Sequence, residues 1–144
     1  MKIRNGFVSN SSSSSFIVIN DSGNKVHPSF GDVLEIRMTD GEYEFGWQVE
    51  EYYDFNSKFN WCYIIASYQA EEEKERLHQM LIETIEEELC VPVEVNWNAQ
   101  SEYDYYIDHG SVEDHNMAMF DSKEDLKAFL FDPASYIHNT NDNM

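Results

Sequence analysis

The sequence predicts an α+β fold, in which two or three helices pack on one face of a mostly antiparallel sheet of four to six strands. Several short segments alternate apolar and polar residues with a period of two, which is typical of half-buried strands. One long segment instead repeats apolar residues every three or four positions, which is typical of an amphipathic helix. A chain of 144 residues with 42% hydrophobic residues is large enough to bury one core.

One domain is expected over residues 16–138, between a serine-rich leader at 1–15 and a flexible tail at 139–144. The leader ends in five consecutive serines, Ser11 to Ser15, and the apolar run after them predicts a buried strand at 16–19. Such serines are typical of a flexible leader, although their hydroxyls could also satisfy backbone groups in a turn before the strand.

A β-hairpin is predicted early in the domain. Residues 32–38 and 43–49 each alternate, with Leu34 and Ile36 on the face expected in the core. Asp40-Gly41 lies between the two segments, and this dipeptide is a strong signal for a tight hairpin turn.

Residues 57–90 contain neither Gly nor Pro and are therefore free to be helical. Asn56 or Ser57 is expected to cap the start, although Tyr63-Ile64-Ile65 would also suit a strand. The second half predicts an amphipathic helix at 70–89, because its apolar residues recur at i+3 and i+4. These residues are Leu77, Met80, Leu81, Ile85 and Leu89.

The remaining elements are short. Asp121 or Ser122 is expected to cap a last helix with Leu126 facing inward, and that helix should end before Pro133, since a residue before proline avoids the helical region. Further strands are predicted at 93–97, 103–107 and 117–120.

The charge of the chain limits the partners it can bind. Twenty-eight acidic residues against nine basic ones give a formal charge of −19, and almost all of the excess lies after residue 30. Such a charge repels nucleic acid and anionic lipid but attracts cationic surfaces. Direct binding to DNA or RNA is therefore not expected.

Cys62 and Cys90 are both expected to be reduced and buried, because they lie among apolar residues and neither belongs to a Cys-x-x-Cys pair. No apolar run is long enough to cross a membrane, and the N-terminus lacks the apolar stretch of a signal peptide. The sequence therefore predicts a cytoplasmic protein that does not bind membranes.

Three segments resemble proteins of tailed phages and some bacteria. The first is a leader, Arg-x-Gly-Phe-Val-Ser-Asn followed by the serine run and Phe16, at positions 4–16. The others are residues 106–111 and 129–137. The resemblance implies a phage context, with the cytoplasm of a host cell as the location, and it implies no catalytic residues.

Catalysis is not expected from the motifs. No serine lies in a Gly-x-Ser-x-Gly elbow, and the chain has neither a phosphate-binding loop nor a dinucleotide fingerprint. No cofactor is therefore predicted, although abundant carboxylates leave general acid–base chemistry open.

The leading functional hypothesis is a non-catalytic phage-type accessory protein that binds a basic surface of a host or phage protein. Its acidic surface would imitate nucleic acid, and the partner would be a nucleic-acid-handling or defence protein. The simpler interpretation is that excess charge only keeps the protein soluble. The expected partner-binding residues are Glu42, Glu44, Glu50, Glu51, Glu71, Glu72, Glu75, Glu83, Glu86 and Glu87.

Two alternatives remain open. The first is a small protein that binds a divalent metal or another ligand at a turn, because carboxylate and imidazole groups suit such ions. The second is a structural or assembly protein of the virion whose aromatic faces build a homo-oligomer. The candidate metal ligands are Asp108, His109, Asp114 and His115, although their spacing matches no zinc motif and a solvated polar loop explains them equally.

Overall fold

The computed structural model describes residues 13–38, 43–45, 50–97, 105–107 and 114–141. It confirms the α+β class, with three α-helices and short strands in this part of the chain. The elements are β1 (Ser13–Val18), β2 (Leu34–Met38), β3 (Tyr43–Phe45), β4 (Glu50–Tyr52), α1 (Phe55–Ser67), α2 (Glu71–Leu89), β5 (Val93–Trp97), β6 (Tyr105–Ile107), a 3-10 helix (Asp114–Asp121), α3 (Lys123–Phe131) and β7 (Tyr136–Asn141).

The strands form three separate groups. Strand β7 lies between β1 and β4 in an antiparallel sheet, whereas β2 pairs in parallel with β5 and β3 in parallel with β6. Within the described residues, the antiparallel sheet therefore has three strands and not the four to six that we predicted. The two parallel pairs are also a correction, because the sequence pattern indicated a mostly antiparallel arrangement.

The predicted hairpin between β2 and β3 is wrong. Leu34 and Ile36 of β2 pair in parallel with Val93 and Val95 of β5, and α1 and α2 lie between the two strands along the chain. Parallel strands require such a crossover. The Asp-Gly signal is local, whereas this pairing buries Leu34 and Ile36 in the core. Residues 39–42, which contain the signal, lie outside the described residues.

The antiparallel sheet extends beyond the predicted ends of the domain. Strand β1 begins at Ser13, within the serine run, and β7 continues to Asn141, within the predicted tail. Ser13 pairs with Asn141, and Ser15 pairs with Asn139. Each strand satisfies the backbone donors and acceptors of the other, so both continue past their apolar residues.

The helix termini follow local capping chemistry. Asp54, and not Asn56 or Ser57, caps α1 by accepting a hydrogen bond of 2.9 Å from the backbone nitrogen of Ser57. Ser122 caps α3 in the same way, at 3.0 Å from the nitrogen of Asp125. Helix α2 confirms the prediction for residues 70–89 and ends at Cys90, whose φ of 59° is left-handed.

The strand predicted at 117–120 is wrong, because these residues belong to the 3-10 helix that leads into α3. Met119 and Phe120 are buried without belonging to a strand. A short apolar run does not by itself distinguish a strand from a buried helical turn.

The core lies between the three helices and the inner faces of the strands. The predicted inward face of α2 is confirmed, as is that of α3, and α1 is buried over most of its surface. Burial of one large apolar side chain contributes about 1.5–3 kcal/mol. The largest contributors include Phe59, Trp61, Ile65, Leu77, Leu81, Ile85, Phe129 and Ile137.

The two cysteines are both free, but only one of them is buried. Cys62 lies in the core, as predicted, whereas Cys90 is exposed at the end of α2. The prediction for Cys90 is wrong because the left-handed turn at this residue directs the chain away from the apolar face of the helix. In the described part of the chain, no helix has the length and apolarity needed to span a membrane.

Candidate functional site

The predicted partner-binding glutamates lie in two places. Glu51 is exposed on β4. Glu44 and Glu50 belong to β3 and β4, but their side chains lie outside the described part of the structure, as does the whole of Glu42. The other six are on α2: Glu71, Glu72, Glu75, Glu83, Glu86 and Glu87.

Several carboxylates of α2 have cationic partners within the chain. Lys74 lies 3.3 Å from Glu71, and Arg76 donates to Glu73 from one turn further along the helix. Lys123 of α3 contacts Glu87 directly and lies 3.8 Å from Glu83. These exposed pairs contribute little stability, but they partly neutralise the helix surface.

Two further glutamates near the end of α2 hold other parts of the chain. Glu88 lies 3.1 Å from the ammonium of Lys25 and 2.8 Å from the ring of His27. Glu86 accepts a hydrogen bond of 3.0 Å from the backbone nitrogen of Val93, at the start of β5. Glu86 therefore has a structural role, which the sequence did not indicate.

The pKa values of these paired glutamates are lowered. The hydrogen bond from Arg76 lowers the pKa of Glu73, and the hydrogen bond from Lys123 lowers that of Glu87. Burial opposes the shift at Glu88, but His27 and Lys25 still hold its pKa below the ordinary value. All three groups therefore stay ionised well below neutral pH.

Every described Lys and Arg side chain is engaged within the protein. Lys127 reaches Glu87 at 4.0 Å, and Lys58 donates to two main-chain oxygens. The full set, with the contacts above, is Lys25, Lys58, Lys74, Arg76, Lys123 and Lys127.

Surplus carboxylates remain on the surface. Glu72 and Glu75 are exposed one turn apart on α2, and no cation among the described side chains pairs with either. Glu35 lies directly beside Glu94 in the parallel pair, and both are exposed. Like charges in adjacent positions raise the local negative potential and would be relieved by a cation from outside.

The outer face of the β1-β7-β4 sheet carries a row of three contacting side chains. His138 of β7 lies between Phe16 and Glu51 in the strand register. Its Nδ1 is 3.0 Å from a carboxylate oxygen of Glu51, and its ring centroid is 5.0 Å from that of Phe16.

Two tyrosines extend this row. Tyr53 stacks on Tyr136, with ring centroids 4.8 Å apart and planes inclined by 29°. The Tyr53 hydroxyl donates a hydrogen bond of 3.0 Å to the other carboxylate oxygen of Glu51. This bond raises the pKa of Tyr53, because it stabilises the neutral phenol beside a carboxylate. We call Phe16, Glu51, Tyr53, Tyr136 and His138 the aromatic face.

A cavity of about 380 Å³ lies beside the aromatic face and shares Tyr53 with it. Its walls come from the loop before β2, the start of α1 and the end of α3. The lining residues are Val26, His27, Pro28, Tyr53, Asp54, Phe55, Lys58, Leu130, Phe131 and Pro133.

Lys58 is a buried cation next to this cavity. Its side chain is 1% exposed, and its ammonium donates to the main-chain oxygens of Asp132 and Ser135, each at 3.1 Å. Burial lowers its pKa from 10.5 to about 8, although Asp54 and Asp132 oppose the shift. The amine is thus occupied in joining α1 to the segment after α3.

A polar cluster around Asp132 fastens the chain after β1 to the end of α3. The Asp132 carboxylate accepts from the backbone nitrogen and hydroxyl of Ser22 and, at 2.9 Å, from the nitrogen of Ala134. The hydrogen bonds from Ala134 and Ser22 lower its pKa. Ser135 accepts from the nitrogen of Asn20 at 2.8 Å and donates to main-chain oxygens. This cluster explains part of the segment 129–137 in structural terms.

The candidate metal ligands are not brought together by described side chains. Asp108 and His109 lie outside the described residues, and only the backbones of Asp114 and His115 are described, at the start of the 3-10 helix. Elsewhere in the described residues, no group of three or more His, Cys, Asp or Glu side chains could hold a metal ion. The metal site therefore stays a prediction.

The contacts that define the aromatic face were missed from the sequence. His138 and Glu51 are 87 positions apart, so no local pattern links them. Phe16-Ile17-Val18 did contain a signal, because a continuous apolar run is expected to place apolar side chains on both faces of a strand. His78, which also had no evident partner, stacks on Tyr63 with ring centroids 3.9 Å apart.

No family model matches the chain, and no significant match was found among curated proteins or among solved structures.

Proposed function

We propose that this protein is a non-catalytic accessory protein, of phage type, that binds a basic surface of a host protein. The partner would handle nucleic acid or act in defence, and the acidic surface would occupy the site where a nucleic acid normally binds. One observation carries the proposal: the described Lys and Arg side chains are all engaged within the chain, while carboxylates remain in excess on the surface.

This arrangement favours an external cation. A formal charge of −19 with internally paired cations leaves a field that attracts a basic partner over a long range. Glu72 and Glu75 are well suited to such a contact because residues three positions apart on a helix lie about 5–6 Å apart. The paired glutamates of α2 contribute less, because Lys74 and Lys123 already compensate them.

The proposal can be tested by binding in host lysate followed by competition. Immobilised protein should retain a nucleic-acid-binding protein at low salt and release it as NaCl rises through a few tenths molar, since salt screens the attraction. The purified partner should then be displaced by duplex DNA or RNA. Retention of only neutral or acidic proteins, or a failure of nucleic acid to compete, would refute mimicry.

A pair of matched variants separates a specific surface from net charge alone. Glu72→Gln with Glu75→Gln removes two exposed carboxylates from α2, and Asp121→Asn with Glu124→Gln removes two exposed carboxylates near α3. We expect the first variant to weaken partner binding more than the second. Equal losses would mean that the charge acts only through its total, as in a protein that is acidic for solubility.

A further inference from the structure

We propose that the aromatic face is the docking surface for an arginine side chain, carried by an extended basic segment of the partner protein. This inference rests on the proposed function and names a surface of contact and the chemistry of its ligand. Its centre is the Tyr53–Tyr136 stack with the Glu51 carboxylate beside it.

The aromatic face has the wrong composition for a solvated surface. Alternation along β7 places Ile137 in the core, fully buried, and turns Tyr136 and His138 outward. The outer face of an antiparallel sheet with one buried face is normally polar. Here Phe16 is 39% exposed and Tyr53 is 46% exposed. Exposed aromatic side chains grouped in this way are typical of interaction sites.

The geometry fits a guanidinium group. A flat cation stacks on an aromatic ring while its N–H groups reach a carboxylate in the same site, and arginine does this better than lysine. Glu51 is held in place for that role, since Tyr53 contacts one of its oxygens and His138 the other, each at 3.0 Å. Each oxygen retains a further lone pair for an incoming donor.

Charge decides between the possible occupants. Phosphate or a nucleic acid stacked on the tyrosines would meet the Glu51 carboxylate and the field of a chain of charge −19. A second copy of the chain would bring the same charge and be repelled. A basic segment is attracted, and no described Lys or Arg side chain of this protein contacts Glu51 to compete for it.

The cavity next to Tyr53 adds a second requirement. Phe55, Phe131 and Pro28 form apolar walls, so a residue beside the arginine would place an aliphatic or aromatic side chain there. An extended segment directs successive side chains to opposite sides, which allows residues two positions apart to occupy the two neighbouring sites.

The test uses calorimetric titration of the full chain with three acetylated nine-residue peptides, each made of a Gly-X-Ser triplet repeated, with X as arginine, lysine or citrulline. We expect the arginine peptide to bind best and the neutral citrulline peptide worst. Tyr53→Ser should weaken binding of the arginine peptide by about two- to fivefold, the usual contribution of an exposed cation–π contact. Tyr53→Phe keeps the ring and should retain most of the affinity.

Matched controls make the result specific. Tyr68 is as exposed as Tyr53, at 47% against 46%, and lies at the end of α1. Tyr68→Ser should therefore leave arginine-peptide binding unchanged. Glu51→Gln should weaken binding more than Glu72→Gln, although both remove one charge. Circular dichroism and the melting temperature of each variant establish that it is folded.

The outcomes distinguish this inference from the proposed function. Equal effects of Tyr53→Ser and Tyr68→Ser, with salt-dependent binding retained, would overturn the docking surface and leave the proposed function standing. An absence of binding to both cationic peptides would count against both. Sedimentation of the chain alone supplies another decisive result: a dimer that Tyr53→Ser abolishes would assign the aromatic face to a second copy.

Discussion

The ammonium of Lys58 lies 3.1 Å from the main-chain oxygen of Ser135, across 77 positions of the chain. This contact joins the middle of α1 to the segment that leads into β7, and it places a cation where almost no water reaches. A buried ammonium is tolerated only when its donors are satisfied. The two carbonyls and the nearby Phe129 ring, 6.0 Å from the nitrogen, supply that environment.

Replacement of Lys58 by Met should change the pH dependence of stability. The pKa of Lys58 is lowered from 10.5 to about 8, so between these values the folded protein binds fewer protons than the unfolded chain. Stability from this group therefore rises with pH across the window. The advantage of the natural protein over Lys58→Met should grow between pH 8 and 10, by less than about 1.4 kcal/mol per pH unit.

Urea unfolding followed by circular dichroism measures this difference. Lys74→Met is the control, because Lys74 is partly exposed and pairs with Glu71 at the surface. A constant difference between the natural protein and Lys58→Met across the window would show that burial does not perturb the amine.

The contact between Ser135 and Asn20 should be important for stability. Ser135 is fully buried, and its hydroxyl accepts from the backbone nitrogen of Asn20. Ser135→Ala leaves that donor without its acceptor, which should cost about 1–3 kcal/mol. Ser22→Ala should cost less, since Ser22 is exposed and water can replace its hydroxyl. The midpoints of urea unfolding compare the two, and a larger loss for Ser22→Ala would contradict this order.

Asp132 should make the protein sensitive to acid. Its pKa is lowered by hydrogen bonds from Ala134 and Ser22, so its contribution is present above the ordinary carboxyl pKa and is lost as pH falls through the lowered value. Asp132→Asn should lower the melting temperature at pH 7, and the gap to the natural protein should narrow near pH 3. Calorimetry at the two pH values measures this gap, and an equal gap at both would contradict a role for the ionised carboxylate.

The two cysteines should differ in reactivity. Cys90 is exposed and Cys62 is fully buried, so a thiol reagent should modify one group in the native protein and two after unfolding. Burial also raises the pKa of the Cys62 thiol, which leaves it without reactive thiolate. Rapid modification of both in the native protein would contradict the packing of α1.

Replacement of Cys90 by Gly should stabilise the protein. The φ of 59° at this position is unfavourable for any side chain with a Cβ, whereas glycine adopts it freely at the end of a helix. The gain should be up to about 1 kcal/mol, because the greater freedom of glycine in the unfolded chain offsets part of it. Cys90→Ala removes the thiol but keeps the Cβ, so it should give no such gain in urea unfolding.

The α-helices could be predicted from the sequence because their signals are local. The spacing of Leu77, Leu81 and Ile85 reports one face of α2 directly, and Pro133 marks the end of α3. Strand pairing could not be predicted in this way. The Asp40-Gly41 signal indicated a hairpin, yet β2 pairs with β5, on the other side of two helices.

The sequence by itself determined the α+β class, the extents of the amphipathic helices and the large excess of carboxylates, since each depends on composition or on neighbours within one helical turn. Only the tertiary structure decided which carboxylates are compensated, because Lys123 reaches Glu87 and Lys25 reaches Glu88 from distant parts of the chain. It also decided that Phe16, Tyr53 and Tyr136 meet on one outward face around Glu51. Such contacts join residues far apart in the chain, and they form only when burial of the common core brings their strands together.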